Sequence, residues 1–189
     1  MMKKANKLLI LLLICLLLCS CSANYGGEGL VGQSAKDFAL KEQGYSLTLP
    51  ENWQQQQTKD EKTTSFLSDD GSIKLDIVCE LGGVEYYSLA EVAQLLEDQL
   101  AKGMKNSEVV STKDDDQKQY REVFACVDDQ GRGVTYDISI IHPYNSLRYF
   151  LIFTSGTNNY QENSLLIDDI INSFKVTAGE EDMYAQIKQ

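Results

Sequence analysis

The chain has 189 residues, in which 17 Lys and Arg face 28 Asp and Glu for a formal charge of −11. That length suits one domain with short extensions. The acidic balance argues against nucleic acid, whose phosphates require a basic footprint, and against anionic lipid headgroups binding to the folded part.

The chain opens with Lys3, Lys4 and Lys7, and Leu8 to Leu18 is then apolar without a break. A positive start, an apolar run of about 7–15 residues and a small-residue exit describe a secretory signal. A spanning helix needs roughly 20 apolar residues, and this run stops short. The exit Leu18-Cys19-Ser20-Cys21 resembles a bacterial lipobox: an aliphatic residue, two small residues, then Cys. The resemblance implies a signal peptide over residues 1–20, cleavage before Cys21, and a diacylglycerol on the Cys21 sulfur. Each buried methylene contributes about 0.8 kcal/mol, so two acyl chains anchor where one is marginal. The implied location is the extracytoplasmic face of the cell membrane.

Cleavage removes Lys3, Lys4 and Lys7, so 14 basic residues face 28 acidic ones over the remaining 169 residues. Of five Cys, three remain: Cys21 for the lipid, and Cys79 and Cys126. In an extracytoplasmic compartment that pair could form a disulfide, contributing on the order of 4 kcal/mol for the loop it closes. The sequence equally allows two buried free thiols.

Residues 21–36, rich in Gly and small polar side chains, read as a flexible tether. The folded part is expected from Asp37. Tyr45 to Pro50 alternates as a short strand, Trp53 plugs the edge of the core, and residues 54–62 read as loop. Thr63–Ser68 and Ile73–Cys79 form a hairpin around Asp69-Asp70-Gly71-Ser72. Ser88-Leu89-Ala90-Glu91 has capping-box spacing, and Leu89, Val92, Leu96 and Leu100 continue at helical period to Gly103. Strands follow at Glu108–Thr112, Gln119–Val127 and Gly133–Ile141, the last two joined at Asp128-Asp129-Gln130-Gly131. His142-Pro143-Tyr144-Asn145 reads as a turn into a strand at Arg148–Thr154. A second helix, capped near Asn159, buries Leu166, Ile167, Ile170, Ile171 and Phe174. Residues 177–189 read as a polar tail. Strand runs separated by helices, without regular alternation, argue for an antiparallel sheet in an α+β domain.

No constellation is catalytic by pattern. The single His, His142, sits beside Pro; with two thiols and no second His, no zinc site of ordinary spacing exists. Asp69/Asp70, Asp114–Asp116 and Asp128/Asp129 offer oxygens that suit Ca²⁺, but none forms the twelve-residue loop with its terminal Glu. Asp and Gly also close hairpins without a ligand. No catalytic, cofactor-binding or metal residue is assigned.

The stretch Gly44-Tyr45-Ser46-Leu47-Thr48-Leu49-Pro50-Glu51-Asn52-Trp53 opens the domain and Ile170-Ile171-Asn172-Ser173-Phe174 closes it. With the capped helix and long hairpin between them, this resembles the PsbP-like superfamily, which includes photosystem II extrinsic subunits and bacterial lipoproteins. The resemblance covers residues 37–176. It implies an α/β/α sandwich whose central antiparallel sheet of about six to seven strands is flanked by two main helices. Members of this fold serve mainly as accessory or binding modules, and the fold alone does not fix a function. The expectation is a non-enzymatic lipoprotein that binds a protein partner in the envelope. The alternative is a receptor for a small ligand or metal, working with an envelope transporter. Cys21→Ala is expected to abolish both palmitate incorporation and partition into detergent; unchanged labelling would refute the anchor.

Overall fold

The computed structural model describes residues 30, 32–81, 87–115, 118–144, 147–179 and 181. The signal, Cys21 and most of the expected tether and tail lie outside these residues. Among the described residues there are ten strands, in two sheets, and two α-helices. The smaller contains β1 (Ala35–Leu40), β2 (Tyr45–Pro50) and β10 (Lys175–Val176), with β2 central and all pairs antiparallel. A 3-10 turn at Lys41–Gln43 joins β1 to β2 and ends at Gly44, whose φ of 69° is the left-handed conformation that glycine adopts at low cost.

The larger sheet has the order β3 (Gln54–Gln56), β4 (Thr63–Leu67), β5 (Ile73–Leu81), β9 (Leu147–Gly156), β8 (Gly133–Tyr144), β7 (Gln119–Val127), β6 (Lys105–Asp115), antiparallel throughout. Helix α1 (Leu89–Leu100) follows β5 and delivers the chain to the far edge at β6. The strands then return hairpin by hairpin until β9 lies against β5. Helix α2 (Thr157–Ser173) follows β9 on the opposite face. The result is the expected α+β architecture, a seven-stranded antiparallel sheet with one helix on each face and a small second sheet.

Two cores result from the period-two alternation of the strands. On the α2 face, Ile73, Leu75, Ile77 and Cys79 of β5 and Leu147, Tyr149, Leu151 and Phe153 of β9 meet Leu166, Ile167, Ile170 and Ile171 of α2. Tyr45, Leu47 and Leu49 of β2 close that side, and Trp53, 5% exposed, seals its edge as expected. On the α1 face, Phe124, Ile138, Ile140 and Ile152 pack beneath Leu89 and Ala93. The capping box at Ser88 forms in full: the Ser88 hydroxyl accepts the Glu91 N–H, and the Glu91 carboxylate accepts the Ser88 N–H.

Several boundaries differ from the sequence reading. The fold begins before Asp37: Leu30 is half-buried against the α2-side core and its N–H donates to Asp169 Oδ2 at 2.8 Å. Gln54–Gln56, read as loop, pairs with β4; three consecutive glutamines carry no alternation that would reveal a strand. His142, Pro143 and Tyr144 extend β8 and are not a turn; Asn145 lies outside the described residues. Helix α2 starts at Thr157, with Gly156 and not Asn159 at its N-cap. Phe174 ends that helix and stacks on Tyr45, with ring centroids 5.3 Å apart. Thr177 and Ala178, expected in the tail, donate their N–H groups to the Gly44 carbonyl.

The disulfide left open by the sequence does not form. Cys79 and Cys126 are free and buried. Strands β9 and β8 lie between theirs, which alone places the two strands about 14 Å apart at about 4.8 Å per strand; the register sets Cys79 level with Gln119 and not Cys126, which adds to the separation, and the two thiols lie on opposite faces. A disulfide requires Cα atoms within about 7 Å.

A charged cluster fastens α2 to the sheet. Arg121 donates to both carboxylate oxygens of Asp137, at 2.8 and 2.6 Å, and to Asp168 Oδ1 of α2 at 2.6 Å. Tyr160 donates its hydroxyl to Asp137 at 2.9 Å. Burial works against the Arg121 charge, but Asp137 and Asp168 outweigh it and hold the guanidinium ionised. Asp137 is fully buried, whereas the Asp168 side chain is 44% exposed. Asp137→Ala is therefore expected to cost about 3 kcal/mol by stranding a desolvated arginine. Asp168→Ala should cost less than about 1 kcal/mol. Urea unfolding of both variants checks the contrast; equal losses would refute it.

Candidate functional site

Because α1 travels from the centre of the sheet to its β6 edge, it lies over β7 and β8 and leaves β5, β4 and β3 without a helix on the same face, with β9 at the boundary. The step at the helix flank is a groove of about 310 Å³. Val78 of β5 and Phe150 and Ile152 of β9 form its floor, and Val92, Leu95 and Leu96 of α1 form one wall. Leu95 is 56% exposed, a large apolar side chain that the helix presents to the groove and not to the core. Lys62, Glu80 and Gln99 stand around it.

The groove continues over Val78 and Ile152 into a hollow of about 440 Å³ bounded by residues 56–60. Its floor becomes ionic: Lys74 Nζ lies 2.7 Å from Asp76 Oδ2, and Ser65 donates its hydroxyl to Asp76 Oδ1. Together the two hollows make an open trough, apolar beside α1 and charged toward β3. Cys79 borders it by backbone position, but its thiol belongs to the α2-side core, where burial raises its pKa to about 11. It is neither ionised nor accessible at neutral pH, so it is no nucleophile for this trough. The lining groups supply apolar contact and peripheral charge, the chemistry of recognition.

Asp70 accepts the Ser68 and Ser72 hydroxyls and the Ser72 N–H, which hold its carboxyl below the usual range, with Ser68 the largest influence. Asp128 accepts the N–H groups of Arg132 and Gln130 and the Arg132 guanidinium. These carboxylates close their own turns. Asp114 and Asp115 lie at the end of β6, and Asp116 is outside the described residues. Among the described residues, no three His, Cys, Asp or Glu side chains are placed to hold a metal ion. His142 donates its backbone N–H to the Lys118 carbonyl, and its Nε2 has no partner among the described residues.

One buried carboxyl escaped the sequence reading. Glu122 of β7 lies between Tyr120 and Phe124 on the α1 face and is 5% exposed. Tyr120 donates its hydroxyl to Glu122 Oε2 at 3.0 Å, and Oε1 has no partner among the described residues. Burial pushes this carboxyl up, the Tyr120 hydrogen bond opposes that, and Glu97 of α1 adds to it. The signal was available: Glu122 occupies the register of Tyr120, Phe124 and Cys126, where alternation calls for an apolar residue.

A folded-state pKa above the ordinary 4.5 means that the native protein binds this proton more tightly than the unfolded chain. The stabilisation is full below that value and is lost as pH rises through the folded-state pKa. Glu122→Gln keeps the shape and the Tyr120 hydrogen bond while removing the charge. The variant is expected to exceed the parent in stability at neutral pH, the gap closing below about pH 4.5. Urea midpoints across that range check it; a gap independent of pH would refute the assignment.

No family model matches the chain, and no curated protein matches it. Among solved structures, the Ran-binding protein Mog1p of Saccharomyces cerevisiae superposes with a TM-score of 0.62 at 10% identity, over 77% of this chain and 97% of that one. Cyanobacterial PsbP (CyanoP) of Synechocystis sp. PCC 6803 does so with a TM-score of 0.56 at 16% identity, over 80% and 98%. A Bacteroides thetaiotaomicron protein gives 0.51 at 14% identity, over 79% of this chain and 50% of its own. Such identities speak to the fold and not to function. The chain has the PsbP-like α+β fold.

Proposed function

We propose that this protein is an accessory module of the cell envelope, held by a lipid on Cys21, which binds a protein partner in the trough beside α1 and carries out no covalent chemistry. The observation that carries this reading is the trough itself: an exposed leucine on the flank of a helix that covers only part of the face, above a floor of Val78, Phe150 and Ile152. Apolar surface of this kind, rimmed by charge, is what a protein interface buries. Two features support the partner over a small ligand. The trough is open along its length, whereas small-ligand sites enclose most of their ligand. In addition, a protein of this fold, Mog1p, is itself a Ran-binding protein. The lipobox supports the location.

The partner segment that fits is a short apolar run with a carboxylate nearby. Lys59 and Lys62 border the trough and form no salt bridge among the described residues. A photo-crosslinking residue at Gln99, in intact cells, is expected to yield a discrete adduct that one at Asn172 on α2 does not. Leu95→Glu should reduce that adduct about tenfold, the loss of roughly 1.4 kcal/mol of apolar burial, and Lys62→Glu should also weaken it. The same adduct at Asn172, or insensitivity to Leu95→Glu, would refute the site.

A further inference from the structure

We infer that the trough faces away from the bilayer that holds the anchor, so its occupant is a protein segment presented from the aqueous compartment and not lipid or membrane-embedded chain. The inference rests on acylation of Cys21 and adds to it where the chain joins the fold. The first described residue is Leu30, whose N–H donates to Asp169 Oδ2 of α2 and whose side chain packs on the α2-side core. The trough is on the other face of the large sheet, beside α1.

Chain length then limits orientation. Nine residue steps separate Cys21 from Leu30. Fully stretched they span at most about 30 Å. The fold in that direction is helix, sheet and helix, three layers of roughly 10 Å, or about 30 Å in all. Laying the trough on the bilayer would therefore need a tether drawn taut and detouring past the edge of the sheet. With α2 toward the membrane the same nine steps are more than the span requires.

Electrostatics does not reverse this preference. A lysine near an anionic leaflet contributes about 1 kcal/mol, and Lys59, Lys62 and Lys74 border the trough. Asp60, Asp76 and Glu80 border it as well and offset them in number.

The test uses the full-length acylated protein in phosphatidylethanolamine–phosphatidylglycerol vesicles carrying a nitroxide on the lipid headgroups. A fluorophore is attached through Leu95→Cys on the lip of the trough, or through Leu165→Cys on α2, one helical turn from Asp169; both leucines are about half exposed. Quenching is expected to be several-fold stronger at position 165 than at 95. Inserting about 20 Gly and Ser residues after Ser22 lengthens the tether to roughly 100 Å and should remove the difference. Equal or stronger quenching at position 95 with the native tether would overturn the inference while leaving the anchor intact. Quenching at neither position, with no acyl mass on the protein, would overturn the anchor and the orientation together.

Discussion

The pairing of β5 with β9 is the constraint on which the rest of the molecule depends. It runs the full length of β5, from Ile73 opposite Ser155 to Leu81 opposite Leu147, and joins segments some seventy residues apart in the chain. Once β9 occupies the position beside β5, the intervening strands can only be laid down from the far edge inward. Helix α1 must cross one face to reach that edge, and α2, leaving β9, takes the other. The same pairing sets Leu75 and Ile77 beside Phe153 and Leu151 on the α2 face, and Val78 beside Phe150 on the other, so both cores share one seam.

The two faces divide the work of the molecule. The α2 face is closed by a helix, a second sheet and the Arg121–Asp137–Asp168 cluster, and it receives the incoming chain at Leu30. The α1 face is half closed, because a twelve-residue helix is about 18 Å long and cannot span seven strands that together measure nearly 30 Å. The uncovered remainder is the trough. Edge protection follows the same economy of covering. At one margin β3 has only three residues. At the other, β6 is long but carries charges and two register shifts, with Asn106 at a φ of 54°, which unsettle any further strand.

Local signals in the chain were read correctly where one residue's preference decides. Asp-Gly and Gln-Gly turns closed the hairpins at 69–72 and 128–131, Ser88 and Glu91 built the capping box, and period two placed Ile73, Leu75, Ile77 and Cys79 on one face. What escaped were features whose cause lies elsewhere in the chain. Gln54–Gln56 is a strand only because β4 offers it an edge. Gly156 caps α2 without a side-chain hydrogen bond, and the helix begins tight against Gly133, where an added Cβ would meet the Thr157 hydroxyl at 2.8 Å. Asp137 and Glu122 are charged residues that the sheet buries on opposite faces, which depends on the strands and helices packed against them.

By itself the sequence determined the strand and helix periods and the α+β class, and the resemblance of Leu18 to Cys21 to a lipobox is likewise a property of neighbouring residues. Only the tertiary structure decided that Cys79 and Cys126 stay apart, that Arg121 and Asp137 meet under α2, and that Leu95 borders an open trough. Those outcomes depend on which strands become neighbours, and strand order is set by the summed burial of distant segments. No single stretch of the chain contains that information.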